Sequence, residues 1–250
     1  MKILFIGDIV GETGFDLLKS GGLDNIIKEH DINFVIANGE NINKYNGITA
    51  KEAEDLHYTG VDVITTGNHA FRHKSIYSFL DDSDYIIRPA NLPHTAAGKG
   101  FTTINTPYGK IGVINLMGQV EMDPVDNPFH TADKLLSQMK DCKYIFVDFH
   151  AEATSEKKAM GYYLDGRVTG VFGTHTHIQT ADEQILPQGT AYITDVGMTG
   201  PQDSVLGVKK ELAIQRFTTR MYTLLEQTTE CAAINAIVVD VEKKKIFRIR

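Results

Sequence analysis

The sequence predicts an α/β fold, and three observations carry that prediction. Short apolar runs ending in Gly, Asp, Asn or His recur along the chain, segments with helical periodicity separate them, and the runs are rich in β-branched and aromatic residues. Runs of that composition suit strands buried in a sheet.

Taken in order, Lys2–Ile6 is the first expected strand. Phe15–Glu29 follows with helical periodicity, interrupted at Gly21-Gly22. Asn33–Ala37 reads as a strand, and Thr49–Tyr58 as a helix whose Thr49 and Glu52 have capping-box spacing. Val61–Thr65 is the next strand. Phe101–Thr106 and Ile111–Leu116, joined across Pro107-Tyr108-Gly109-Lys110, predict a hairpin. Thr131–Lys140 and Ser155–Leu164 read as helices, with strands at Tyr144–Phe149, Val168–Phe172 and Thr190–Thr194. Ala233–Val241 with Lys245–Ile249 predicts a closing hairpin, so antiparallel strands mix with parallel ones. No internal repeat, low-complexity tract or Pro/Ser-rich linker divides the 250 residues, and one domain spanning 1–250 is expected.

Composition narrows the function classes. The 25 Lys and Arg against 32 Asp and Glu give a net charge of −7, which argues against bulk binding to a nucleic-acid backbone. A small phosphorylated substrate stays compatible, because bound cations invert the charge of an acidic site. Cys142 and Cys231 have no metal-type spacing and form no disulfide framework, as expected of thiols in a reducing cytoplasm. The opening apolar run is too short for a signal-peptide core, and no stretch reaches the roughly 18 apolar residues of a membrane helix. A cytoplasmic placement away from membranes is expected. A homo-oligomer is compatible with the sequence, which marks no self-contacting face.

The chemistry is concentrated where strands end: Gly7-Asp8, Gly39-Glu40-Asn41, Gly67-Asn68-His69, Phe149-His150 and Gly173-Thr174-His175-Thr176-His177. Residues just after strands of an α/β sheet converge on one site from distant parts of the chain. A lone Asp or Asn there is usually a turn former or cap, but the recurrence of ligand types is a stronger signal. Carboxylates from Asp8 and Glu40, amide oxygens from Asn41 and Asn68, and imidazoles from His150, His175 and His177 suit borderline-hard divalent ions. Two such ions about 3.5–4 Å apart, bridged by a carboxylate and a hydroxide, clamp a phosphoryl group and supply a nucleophile. Phosphoryl transfer or hydrolysis is the matching reaction. His175 and His177, if extended, point to the same side. The glycines before the ligands allow sharp turns and close backbone approach.

Other residues have ordinary readings. His30 and His57 lie near helix ends, and His73, His94 and His130 in loops, with His94 the one candidate for a substrate mouth. The Gly7, Gly11, Gly14 run lacks both the dinucleotide spacing and the Gly-Lys-Ser/Thr ending of a phosphate loop. Arg88 is the one arginine placed to meet extra phosphate charge. The loops Asn43–Gly47 and Asn91–Gly100 are expected near the substrate but carry no diagnostic motif.

In order and spacing these motifs resemble the calcineurin-like metallophosphoesterase superfamily, and more closely its YmdB-like branch, from Met1 to about Val241. The superfamily pattern is Asp-x-His, Gly-Asp, Gly-Asn-His-Glu/Asp, a lone His and Gly-His-x-His. Val10 stands where the first His would be, Glu40-Asn41 replaces the usual Asp, and Ala70 follows His69. Gly-Asp-Ile-Val-Gly, Asn-Gly-Glu-Asn, Thr-Gly-Asn-His and His-Ala-Glu-Ala-Thr-Ser-Glu-Lys are the YmdB-like branch's own variants. The resemblance implies a four-layer α/β/β/α sandwich of mixed sheets. It implies that Asp8, Glu40, Asn41 and His177 hold one metal and Glu40, Asn68, His150 and His175 the other, with Glu40 bridging. It further implies that His69 does not ligate but acts as general acid at the leaving oxygen. Iron or manganese is the implied metal, with zinc and cobalt admitted by the N/O donors, and the implied activity is cyclic-nucleotide phosphodiesterase, 2′,3′-cyclic mononucleotides included.

Phosphodiester hydrolysis is therefore the leading expectation. A phosphomonoesterase or nucleotidase, and a metal-bound regulatory domain that binds a cyclic nucleotide with little turnover, are the alternatives.

Overall fold

The computed structural model describes residues 1–250. Two large sheets face each other. The first has five strands in the order β14 (Lys245–Ile249), β13 (Ala236–Asp240), β1 (Lys2–Ile6), β3 (Phe34–Asn38), β4 (Val63–Thr65). β1 pairs parallel with β3 and antiparallel with β13, Phe5 facing Ile36 on one side and Ile237 on the other. The second sheet has six strands: β5 (Phe101–Thr106), β6 (Gly109–Met117), β7 (Tyr144–His150), β8 (Gly170–Thr174), β10 (Ala191–Ile193) and β9 (Gln184–Ile185). Both expected hairpins form, β5 with β6 and β13 with β14. A small third sheet joins β2 (Asp8–Ile9), β11 (Met198–Pro201) and β12 (Ala232–Ala233).

Period-2 alternation sorts the strand residues into layers. Ile3, Phe5, Phe34, Ile36 and Val63 from the first sheet meet Ile111, Val113, Phe146, Phe172 and Ile193 from the second, all fully or nearly fully buried. Phe5 meets Phe172 edge-on with centroids 5.1 Å apart. The opposite face of the first sheet, with Leu4, Ile6, Val35 and Ala37, packs on α1 (Gly11–Leu17), α2 (Leu23–His30), α3 (Ala50–Tyr58) and α4 (Ile76–Asp82). The outer face of the second, with Ile114, Leu116, Val147 and Phe149, packs on α5 (Pro128–Gln138) and α6 (Thr154–Tyr163). The result is the helix, sheet, sheet, helix layering the resemblance implied.

Local signals explain the boundaries. Thr49 and Glu52 form the expected capping box at the start of α3. Between α1 and α2, Gly21 takes a non-helical conformation with φ 100°, so the Gly21-Gly22 pair separates two helices at a kink. Asn127 caps α5, accepting from the amides of Phe129 and His130, with Pro128 in its first turn; the helix therefore starts earlier than the expected Thr131. Two further helices, α4 and α7 (Lys210–Thr219), were not expected from the sequence.

Candidate metal centre

The site lies at the carboxyl ends of β1, β3, β4, β7 and β8, where the motif residues converge. Asp8 is not in a loop, as a residue after β1 was expected to be. After one turn at Gly7 the chain enters β2, and Asp8 pairs in parallel register with Met198. Gly7 is required there, because a Cβ would stand 2.0 Å from the carbonyl oxygen of Gly197. Asp8 is fully buried. Its Oδ2 accepts from the amide of His175 at 3.0 Å, whereas Oδ1 has no hydrogen-bond partner and faces ring nitrogens of His150 and His177, each at 3.9 Å.

Glu40, also fully buried, occupies the centre. Its amide donates to Asn38 Oδ1 at 3.1 Å, which fixes the turn off β3. Oε1 lies 3.1 Å from His150 Nε2 and 3.2 Å from His69 Nδ1, and Oε2 accepts from the His69 amide. Gly67 makes this approach feasible: a Cβ there would stand 2.2 Å from Glu40 Oε2 and 2.4 Å from His150 Nε2.

His150 ends β7. Its Nδ1 lies 2.9 Å from Thr174 Oγ1, which in turn donates to Asp148 Oδ1 at 2.7 Å. With the hydroxyl proton committed to Asp148, Nδ1–H donates to Thr174 and Nε2 is turned into the site. There Nε2 meets Asn68 Oδ1 and His175 Nδ1, both at 3.0 Å. His175 Nε2 lies 3.2 Å from Glu152. His177 Nε2 lies 3.2 Å from the Asn41 carboxamide, and its Nδ1 3.3 Å from the carbonyl oxygen of Leu206. Asn41 turns Nδ2 toward Glu40 and His177. A half-turn of its carboxamide presents Oδ1 to the same point.

The expectation of an extended His175-Thr176-His177 is corrected. Both histidines have positive φ, 102° and 64°, so the loop is sharply kinked and the imidazoles approach from two sides. Asp195 holds the kink, accepting at Oδ2 from the Thr176 amide and hydroxyl at 3.1 and 2.8 Å and from buried Lys157 Nζ at 2.7 Å.

Around Glu40, Asn68 and His175 meet His150, and Asn41 lies against His177, with Asp8 Oδ1 facing the rings of both His150 and His177. The ligand atoms of Glu40, His150 and His175 lie within 4.8 Å of one another, close enough to hold one ion. The unpartnered Oδ1 of Asp8, buried and aimed at two imidazoles, is the kind of group a cation satisfies. The residues therefore fit metal ions.

Electrostatics agree. Burial opposes charge on His150, but the Glu40 and Asp8 carboxylates outweigh it and hold the imidazole up at about 9. Burial, reinforced by His150, pushes His175 down to about 3. Glu40 is buried too, yet His150 and His69 hold it well below the usual carboxylate range. Burial raises Asp148 to about 6.

His69 stays half-exposed at the rim. Its Nε2 is 3.4 Å from the amide nitrogens of both Asn46 and Asn68, and its Nδ1 faces Glu40. Sequence reasoning missed Asn38, Asp148, Thr174, Lys157 and Asp195, the buried groups behind the donors. Asp148 had a signal: it stands two residues before His150 in an apolar strand, on the same face. Arg88 is corrected as a phosphate ligand. It is buried, and its guanidinium donates to the carbonyl oxygens of Pro89, Ala96 and Ala97. His94 lines a separate surface cleft of about 570 Å³ that shares no residue with the donor set.

Known proteins resemble this chain in sequence and fold. The chain is 46% identical over 253 residues to a 2′,3′-cyclic-nucleotide 2′-phosphodiesterase of Bacillus subtilis (strain 168), covering 100% of this chain and 95% of that protein. A crystal structure described as a novel phosphatase from Mycoplasma pneumoniae superposes with a TM-score of 0.91 at 36% identity, over 100% of this chain and 93% of that one. The NAD nucleotidase NadN of Haemophilus influenzae, at 13% identity and a TM-score of 0.53, shares the fold over 100% of this chain and 55% of its own. Residues 4–250 match the YmdB-like protein family as a whole, and the chain belongs to that family.

Proposed function

We propose that the protein is a dinuclear metal-dependent phosphodiesterase acting on cyclic nucleotides, with 2′,3′-cyclic mononucleotides the first candidates and 3′,5′-cyclic ones the second. The observation that carries this reading is buried Glu40, whose Oε1 meets both His150 Nε2 and the Asn41 carboxamide, together with the unpartnered Oδ1 of Asp8. Identity of 46% to a 2′,3′-cyclic-nucleotide 2′-phosphodiesterase supports the substrate class. In this reading Asp8, Glu40, Asn41 and His177 hold one ion and Glu40, Asn68, His150 and His175 the other, iron or manganese being the first choices. Bound ions supply charge stabilisation for the phosphoryl oxygens and activate the attacking water. His69, at the rim beside Asn68, hands a proton to the departing sugar oxygen, and Asn46 orients its ring.

Residues 1–250 act as one unit in this reading. A cytoplasmic place of action belongs to the same reading; no helix is long and apolar enough to cross a membrane, and Cys142 and Cys231 are free.

The test is metal content per chain together with hydrolysis of bis-p-nitrophenyl phosphate and 2′,3′-cyclic AMP. Near two ions and turnover of both are expected. A metal-loaded protein that hydrolyses neither would overturn the enzymatic reading in favour of a regulatory domain, and a preference for monoesters would favour a nucleotidase.

A further inference from the structure

A second cleft, about 240 Å³ in volume, adjoins the metal centre. Its walls are Tyr45, Asn46 and Arg72 on one side and Leu206, Val208 and Leu225 on the other. Each wall is tied to a site histidine. Asn46 Nδ2 lies 3.4 Å from His69 Nε2, and the Leu206 carbonyl oxygen lies 3.3 Å from His177 Nδ1. Anything held between the walls therefore lies beside His69 at the rim and His177 in the donor set.

The first wall is braced. Asn43 and Asn46 close the loop on itself through Asn43 N to Gly47 O and Asn46 N to Asn43 O, and His73 Nε2 meets the Asn46 carbonyl oxygen at 2.9 Å. Gly47, at φ 78°, sits so close to Arg72 that a Cβ would stand 2.6 Å from the Arg72 Cβ. Yet at the tip of this braced loop Tyr45 is 68% exposed, with Lys44 Nζ 5.7 Å from its ring centroid. Across the gap Leu206 and Leu225 are exposed as well, at 47% and 37%. A rigidly presented aromatic ring facing exposed aliphatic side chains, beside the exposed cation of Arg72, has the chemistry that takes up a planar heterocycle joined to an anionic group. At about 240 Å³ the cleft lies below the roughly 300–1,000 Å³ of drug-sized ligand sites and matches a small ligand such as a single nucleoside.

We infer that this cleft is the nucleoside-binding part of the active site: the base stacks on Tyr45 against Leu206 and Leu225, and Arg72 donates to the sugar-phosphate oxygens. The inference rests on the nucleotide reading above and assigns the residues that select a nucleotide over a simple phosphate ester.

Calorimetric titration of the manganese-loaded protein with inorganic phosphate and with adenosine 3′-phosphate tests it. The native protein is expected to bind the nucleotide at least about ten-fold more tightly than phosphate. Tyr45→Ala should cut that ratio by about ten-fold and leave phosphate affinity within about two-fold, whereas Tyr45→Phe should keep the ratio, because stacking uses the ring and not the hydroxyl. Leu225→Ala, a second exposed position, should cut it in the same direction. A native ratio near one, or a native-like ratio in both Tyr45→Ala and Leu225→Ala, would overturn the inference. Adenosine 3′-phosphate has no diester bond to hydrolyse, and its recovery intact after the titration shows that the binding ratio is independent of turnover. Failure of the hydrolase reading would show separately, as intact 2′,3′-cyclic AMP after incubation with the same native protein.

Discussion

Lys157 and Asp195, each only 1% exposed, form a 2.7 Å ion pair beneath the loop that carries His175 and His177. The same carboxylate accepts from Thr176 and, through Oδ1, from the Gly197 amide, so one buried charge ties α6, the kinked histidine loop and the turn packed on Gly7. Removing the lysine leaves that charge uncompensated. Lys157→Met is expected to lose roughly 3–5 kcal/mol of stability in urea unfolding. Lys157→Met with Asp195→Asn should recover part of the loss; a double variant as unstable as the sum of the singles would show that the two do not act as a pair.

Thr174 links Asp148 to His150. Thr174→Val keeps the shape but deprives His150 Nδ1 and Asp148 Oδ1 of their partner. Metal affinity is expected to fall by about 10–100-fold, the usual effect of losing a group that orients a ligand, and Thr174→Ser should restore it. Competition with a metal-sensitive dye measures both. Native affinity in Thr174→Val would remove the hydroxyl from the site's architecture.

Gly67→Ala puts a methyl group where Glu40 and His150 already meet. Because the obstruction lies inside the donor set, metal content is expected to drop below half of native, while Tm moves by only a few degrees, about 1–2 kcal/mol. A variant with full metal content would mean that Glu40 moves freely.

Glu40 and His69 separate holding metal from doing chemistry. Glu40→Ala is expected to lose both ions and activity, and His69→Ala to keep its metal while turnover slows by about 10²–10⁴-fold. Elemental analysis beside kcat on 2′,3′-cyclic AMP distinguishes them. Full turnover in His69→Ala would assign the proton to another donor.

Short continuous apolar runs rich in β-branched and aromatic residues made most strands of both large sheets readable, and the Thr49/Glu52 pair marked α3. α7 stayed hidden because Ile214 and Phe217 are exposed, so its apolar residues trace no core-facing stripe. α4 is short and ends in Asp81-Asp82. The donor types were legible because each follows a strand. The loop at His175 was not, since its positive φ values depend on Asp8 and Asp195, which meet it only in the folded chain. Arg88 illustrates the converse: one exposed-looking cation in the sequence is consumed by carbonyl oxygens, while Arg72 lines the cleft without a motif to announce it.

The antiparallel partner of β1 is β13, near the end of the chain, and the Gly7 amide that leads into Asp8 donates to Asn235. During synthesis, one edge of the first strand therefore waits for residues made more than two hundred positions later. Asp8 itself pairs with Met198, so the start of the chain is tied into place by two segments from its last third. The centre is therefore assembled by pairings between segments far apart in sequence, and it belongs to the slow, non-local part of folding.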